Sequence, residues 1–300
     1  MELEVGVGLI RLADPKRGGD LLERVQHVRQ SVASEIGIIM PKVRIRDNMR
    51  LEPNEYRIKL ADMPIAQDCL EPAQLLAIDS GMTTGYVDGI ATKDPAFGTE
   101  ARWIVPALKE QAEIFGYTVV EPGAVLATHL TEICRRHADE VLTRDATKHL
   151  VDQLKTTQPA VVDELVPDMM SLAEVQAVLQ LLLREQVSVK QLALVLETLG
   201  DYAGRTKDPI LLTEHVRHRL ARQICTRYRD DQGRLYVLAI DPAMEDRIGA
   251  GFEHSDRGLL IRMSPQAVEA TCNAIATQLP ALVSAQHTVS YTHLTLPTKA

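Results

Sequence analysis

Aromatic side chains are scarce in this chain. Its 300 residues include three Phe, one Trp and seven Tyr. The four cysteines, at 69, 134, 225 and 272, lie far apart and form no C-x-x-C pair. That spacing argues against a disulfide framework and fits a reduced cytosolic compartment, with the thiols acting as small hydrophobes. Basic residues are in deficit, 33 against 41 acidic, for a formal charge of −8. Such a balance disfavours non-specific binding to nucleic acid or an anionic membrane. The amino terminus, Met-Glu-Leu-Glu-Val, has neither a basic nor an apolar signal region. The longest uncharged run, Ala270 to Thr298, is rich in Thr, Gln, Asn, Ser and His and is broken by Pro280, so it lacks the character of a bilayer span.

Catalytic signatures are equally thin. There is no Walker A sequence, no G-x-S-x-G and no H-E-x-x-H, and Gly6-Val7-Gly8 lacks the third glycine of a dinucleotide site. His215-x-x-His218 and Cys134-x-x-His137 each bring two ligands together, but no third can be named for a metal. No cofactor is expected. Ser80, between Asp79 and Gly81, has no identifiable base and reads as a turn serine.

What is present is the apolar and charged balance of a soluble globular protein, 45% and 25%, at a length that suggests two or more domains. Leu3 to Leu12 predicts a first strand. Asp20 and Gly37 bracket a helix whose Leu21, Leu22, Val25, Val28 and Val32 keep helical spacing. Short strands are predicted at Lys42–Asp47, around Tyr56–Leu60, at Gln74–Asp79 and at Tyr117–Glu121. Helices are predicted from Pro106 and from Pro122 to about Leu142. From about Asp145 to Ala203 the pattern is helical, with capping boxes at Ser171-x-x-Glu174 and Ser188-x-x-Gln191. A basic helix (Thr213 to Tyr228), a buried strand (Leu235–Ile240) and helix starts at Asp241-Pro242 and Ser264-Pro265 complete the chain. The pair of helices across 172–199 has helix-turn-helix spacing, so a DNA-binding regulator is the alternative function. Its second helix offers Lys190 and Gln191, then Glu197 and Asp201, a poor surface for base edges and phosphates.

The scarce aromatics are concentrated at one turn, Asp94-Pro95-Ala96-Phe97-Gly98, with Trp103 soon after. Proline keeps Asp94 out of the helical region and Gly98 permits backbone geometry other residues resist. On composition alone Phe97 belongs to the core.

Several motifs occur in one order: Arg44-x-Arg46-Asp47-Asn48, Lys93-Asp94-Pro95-Ala96-Phe97-Gly98, Trp103-x-x-x-Ala107-Leu108-Lys109, Ala127-Thr128-His129-Leu130 and Glu164-Leu165-Val166-Pro167. They continue through Val175-Gln176-x-Val178-Leu179-Gln180 and Leu196-Glu197-Thr198-Leu199-x-Asp201-Tyr202. In these the chain, from about residue 3 to about 285, resembles the cytoplasmic part of the type III secretion export-gate family, in its flagellar branch. The resemblance implies an α+β multidomain fold. A first α/β subdomain would span 1–72 plus 122–141, with a small inserted ferredoxin-like or RRM-like α/β subdomain at 73–121. An all-helical, winged-helix-like subdomain would follow at 142–221, and an incomplete α/β subdomain at 222–287.

Residues 288–300 resemble translated sequencing-adapter read-through, a non-native tail. The membrane-spanning half of the family is absent, so the chain looks like a fragment from the cytoplasmic side of the bacterial inner membrane. The resemblance also implies a non-enzymatic docking platform. Its partners would be flagellar export chaperone–substrate complexes, soluble components of the export ATPase complex, other export-gate membrane proteins, and its own copies in a nonameric ring. Nucleic acid is not among them. The family's docking dimple matches Asp94, Phe97 and Thr128, with Val120 and Val125 as apolar lining. Ser80 stands where relatives often carry Pro, which loosens one wall.

Overall fold

The computed structural model describes residues 1–255 and 258–284. The chain divides into two compact units, Met1–Pro159 with Val175–Leu192, and Ala160–Glu174 with Ala193–Ala300. The fold is α+β.

The first unit opens with β1 (Glu2–Val5) and the short α1 (Ile10–Ala13), then α2 (Leu21–Ile36), β2 (Arg44–Asp47), β3 (Glu55–Leu60) and β4 (Met63–Cys69). These strands form a sheet in the order β2-β1-β3-β4, with β1 and β2 parallel and the other pairs antiparallel. Alternation decides the two faces. Leu3 pairs with Ile58 and Val5 with Tyr56, and all four are buried. The intervening Glu2, Glu4, Arg57 and Lys59 form the charged face. Helix α2 buries Leu21, Val25, Val28, Val32 and Ile36, a single stripe at helical spacing. It ends at Gly37, in the left-handed region at φ 89°, where a Cβ would meet the Lys190 main chain at 2.5 Å.

A second sheet follows from β5 (Leu75–Ile78), β6 (Ile90–Lys93), β7 (Glu100–Ile104) and, after α3 (Lys109–Ile114), β8 (Thr118–Val120). Its order is β6-β7-β5-β8, antiparallel throughout. One face, with Ala77, packs Ile104, Ala112 and Phe115 into a small core. On the other face Ile90, Trp103, Leu76 and Val120 share one cross-strand row. Helix α4 (Pro122–Arg136) leaves the end of β8 and packs against β5 and α2. Then come α5 (Ala138–Val141) and α6 (Arg144–Thr157).

Helix α7 (Pro159–Leu165) leads into the second unit, and α8 (Leu172–Arg184) returns to the first. The Ser171–Glu174 capping box forms reciprocally: the Ser171 main-chain N–H donates to Glu174 Oε2 at 2.7 Å, and Glu174 N–H to Ser171 Oγ at 3.3 Å. The second unit continues with α9 (Leu192–Ala203), α10 (Pro209–Arg219), α11 (Ala221–Arg227), α12 (Pro242–Ala250), the hairpin β9 (Phe252–Ser255) and β10 (Gly258–Ile261), and α13 (Pro265–Ser284). Within it the Tyr202 ring stacks on His215 at 3.8 Å between centroids.

Several expectations are corrected. The first strand stops at Val5 because Gly6 and Gly8 lie against the 52–54 segment, Gly6 N–H donating to Glu55 O at 2.8 Å and Gly8 N–H to Pro53 O at 2.7 Å. A Cβ on Gly6 would lie 2.1 Å from Glu52 O, so only glycine fits there. Ser188 does not open a helix: its hydroxyl donates to the carbonyls of Glu35 and Ile36, and α9 starts at Leu192. The basic helix is two helices, broken at Leu220. Residues 235–240 form no strand. Leu235 and Val237 are 38% and 69% exposed, and β9 and β10 pair only with each other among the described residues. The sequence pattern predicts none of β4, β6, β7, β9 and β10. The tail at 288–300 lies outside the described residues.

Candidate functional site

The turn between β6 and β7 is built by its own main chain. Asp94 N–H donates to Thr99 O at 2.8 Å, continuing the hairpin beyond the Lys93–Glu100 pair. Gly98 N–H donates to Asp94 O at 2.7 Å, which requires the left-handed backbone that Gly98 adopts at φ 72°. The Asp94 carboxylate folds inward, 3% exposed, and accepts the Phe97 N–H at 2.9 Å. Ala96 is buried. Phe97 is therefore held from both sides, yet its ring is 61% exposed. The composition-based expectation of a core Phe fails here, while Trp103 lies in β7, 5% exposed.

Helix α4 supplies the opposite wall. It begins beside Val120, at one end of the sheet, and runs back to the Asp94–Gly98 end. There Arg136 Nη2 donates to the Ala96 carbonyl at 3.0 Å. Arg136 is itself braced by Glu132, Nε to Oε1 at 2.9 Å. Glu132 also accepts from Arg135 at 3.0 Å, and Arg135 reaches Glu35 on α2 at 2.6 Å. Thr128, Glu132 and Arg136 stand at i, i+4 and i+8, one stripe along the helix. Thr128 is exposed on that stripe. Val125, one turn earlier, is 2% exposed and Val120 is half-buried. Ser80 is exposed, and its hydroxyl donates to Gly116 O at 3.3 Å. It follows β5 at the Asp94–Gly98 end of the sheet, where Asp79 N–H meets Glu100 O at 2.9 Å.

Beneath the turn lies a buried polar pair that the sequence reading missed. Tyr56 Oη and His129 Nδ1 are 2.6 Å apart, with the residues 0% and 5% exposed. Burial pushes the Tyr56 phenol far up, reinforced by the charges of Asp68 and Asp94. Burial also holds the His129 imidazole below its ordinary value, against the opposing pull of Asp68 and Asp94. The neutral phenol and neutral imidazole thus satisfy one another. Arg136, Glu132 and Asp94 all act electrostatically on His129, so the Asp94–Gly98 turn, the helix and the buried pair form one connected group. The signal available in sequence was the Thr128–Glu132–Arg136 stripe; nothing local marked its link to Ala96.

The arrangement presents an exposed aromatic on a turn whose main chain is pinned, tethered through Arg136 to the helix that carries the exposed Thr128 hydroxyl two turns earlier. Among the described residues, no three His, Cys, Asp or Glu side chains gather as a metal site.

The sequence model of the FHIPEP family matches residues 1–293. The flagellar biosynthesis protein FlhA of Bacillus subtilis (strain 168) is 39% identical over 288 residues, 96% of this chain and 42% of that protein. The chain thus spans less than half of that relative's length. Two solved structures share the fold. The Chlamydia pneumoniae CdsV and CdsO protein complex matches with a TM-score of 0.81 at 23% identity, over 92% of this chain and 81% of that one. The nonameric SctV-C of EPEC, solved by cryo-EM, gives 0.72 at 20% identity, over 92% and 82%.

Proposed function

This chain belongs to the FHIPEP family, and on that premise we propose that it is the cytoplasmic docking platform of a flagellar type III protein export gate. Its work in this reading is to bind export substrates and chaperone–substrate complexes during flagellum assembly. The observation that carries the proposal is Phe97. A chain with three Phe leaves one of them 61% exposed on a turn fixed by a buried carboxylate. A preorganised aromatic anchor of this kind loses little conformational entropy on binding. We place the partner between Phe97 and Thr128, with Asp94 fixing the turn, Val120 and Val125 supporting the wall between the sheet and α4, and Ser80 at the near rim.

The same proposal carries the finer organisation. The four subdomains are 1–72 plus 122–141, 73–121, 142–221 and 222–287, the second ferredoxin-like and the third winged-helix-like. Copies assemble as a ring, supported by the nonameric state of SctV-C. Soluble export-machinery components dock on it, supported by the CdsV–CdsO complex, and other gate proteins adjoin it at the inner membrane. No helix among the described residues is long and apolar enough to cross a membrane, and the proposal assigns the spans to the length of the relatives that this chain does not cover. We assign no catalysis to it. Family membership does not favour the DNA-binding alternative.

Immobilised native chain, Phe97→Ala and Thr128→Met are to be compared for capture of flagellar chaperone–substrate complexes. Loss of capture in both variants is expected; equal capture by all three removes the site.

A further inference from the structure

The first sheet has a free edge that the docking turn does not use. In β2, Arg44 N–H donates to Met1 O at 3.1 Å, and beyond its end Asn48 N–H donates to Val5 O at 3.0 Å. Alternate residues thus turn their main-chain groups toward β1, and Ile45 and Asp47 present theirs outward. Among the described residues, no strand pairs with that edge and no main-chain group bonds to it.

A groove of about 580 Å³ lies over the charged face of the sheet, reaching from β2 across β1 to β3, lined among others by Lys42, Arg44, Arg46 and Lys59 against Glu2 and Asp62. Its cations are not equally committed. Arg46 Nε lies 2.7 Å from Glu2 Oε1, and Lys59 Nζ is held by Glu4 at 2.9 Å. Lys42 and Arg44 make no ion pair among the described residues. An open row of peptide groups and two uncommitted cations therefore sit side by side, in a chain whose overall charge is −8.

We propose that this edge accepts an extended acidic segment of a partner protein as a fifth strand, its main chain on Ile45 and Asp47 and its carboxylates on Lys42 and Arg44. Strand addition supplies affinity through main-chain hydrogen bonds, and alternate side chains supply selection. Carboxylates at every second position would all fall on the Arg44 and Arg46 face. A second copy of this edge is disfavoured, because it sets arginine against arginine, and basic residues on an edge commonly block self-pairing. Polyanions such as nucleic acid meet the net negative charge of the whole chain.

The inference uses no residue of the docking turn. Its test is fluorescence anisotropy of the whole chain with a labelled octapeptide of alternating Glu and Val. The native chain is expected to bind in a salt-sensitive manner. Arg44→Glu and Lys42→Glu, each checked for native circular dichroism, should weaken binding by about tenfold or more. A peptide with Pro at alternate positions should fail for want of N–H donors, and Phe97→Ala should bind as the native chain does. No binding by the alternating peptide overturns the proposal. So does equal binding by the Pro-substituted peptide, a DNA duplex or anionic vesicles, which would mark a general anion surface. A native dimer abolished by Arg44→Glu would overturn it as well, by assigning the edge to a second copy.

Discussion

Arg136, in the last turn of α4, donates a 3.0 Å hydrogen bond to the main-chain carbonyl of Ala96, forty residues earlier in the turn between β6 and β7. That bond ties the helix bearing Thr128 to the turn bearing Phe97. The orientation of the exposed aromatic is thereby a property of α4 as much as of its own hairpin.

Replacing Arg136 with Met keeps the helix and removes the bond. The side chain is half exposed, so the stability cost should be modest, roughly 0.5–1 kcal/mol. Docking of chaperone–substrate complexes should weaken several-fold all the same. Thermal unfolding and a binding titration on the same preparation separate the two effects, and unchanged binding would show that the tether has no part in docking.

Asp94 acts through geometry, since its buried Oδ2 satisfies the Phe97 N–H. Asp94→Asn retains an acceptor and should be tolerated. Asp94→Ala leaves the N–H without its partner and should cost about 1–3 kcal/mol. Urea unfolding of the two variants distinguishes them; equal destabilisation would assign the role to charge instead.

The two scarce aromatics should behave oppositely. Trp103, 5% exposed in the row with Leu76 and Val120, should lose about 3–5 kcal/mol on truncation to Ala. Phe97, 61% exposed, should change stability by about 0.5 kcal/mol or less on the same truncation. A large destabilisation by Phe97→Ala would return that ring to the core.

His129 gives the fold a pH dependence of definite sign. Burial lowers its folded-state affinity for protons below that of the unfolded chain, where an imidazole titrates near about 6.5. The stability is then whole above that value and declines as pH falls below it, because the unfolded chain takes up the proton first. Urea midpoints measured from pH 7.5 to 5 should fall for the native chain and flatten in His129→Asn. A flat native profile contradicts this account of the buried pair.

Much of this was legible where chemistry is local. Asp20 and Gly37 bracket α2 as the spacing suggested, although the Asp20 carboxylate accepts from Arg24 at 2.7 Å instead of capping the helix main chain, and the Ser171–Glu174 box forms as written. Asp241 caps α12, its carboxylate accepting Ala243 N–H at 2.9 Å. What was not legible depends on distant chain. Gly6 ends β1 because the 52–53 backbone lies against it, and Ser188 serves the end of α2 instead of its own helix. The apolar run at 235–240 has strand composition but no pairing partner among the described residues. At the Asp94–Gly98 turn the sequence indicated the backbone, through Pro95 and Gly98. Composition alone put Phe97 in the core, and its outward position follows from Asp94 folding inward and Ala96 being held by a helix from elsewhere.

The most direct measurement is calorimetric titration of a purified flagellar chaperone–substrate complex into the native chain, Phe97→Ala and Thr128→Met. The account predicts a dissociation constant raised by about tenfold or more in each variant, with unfolding midpoints unchanged, as expected for a central anchor and its neighbour. Dissociation constants equal to the native value in both variants would contradict it.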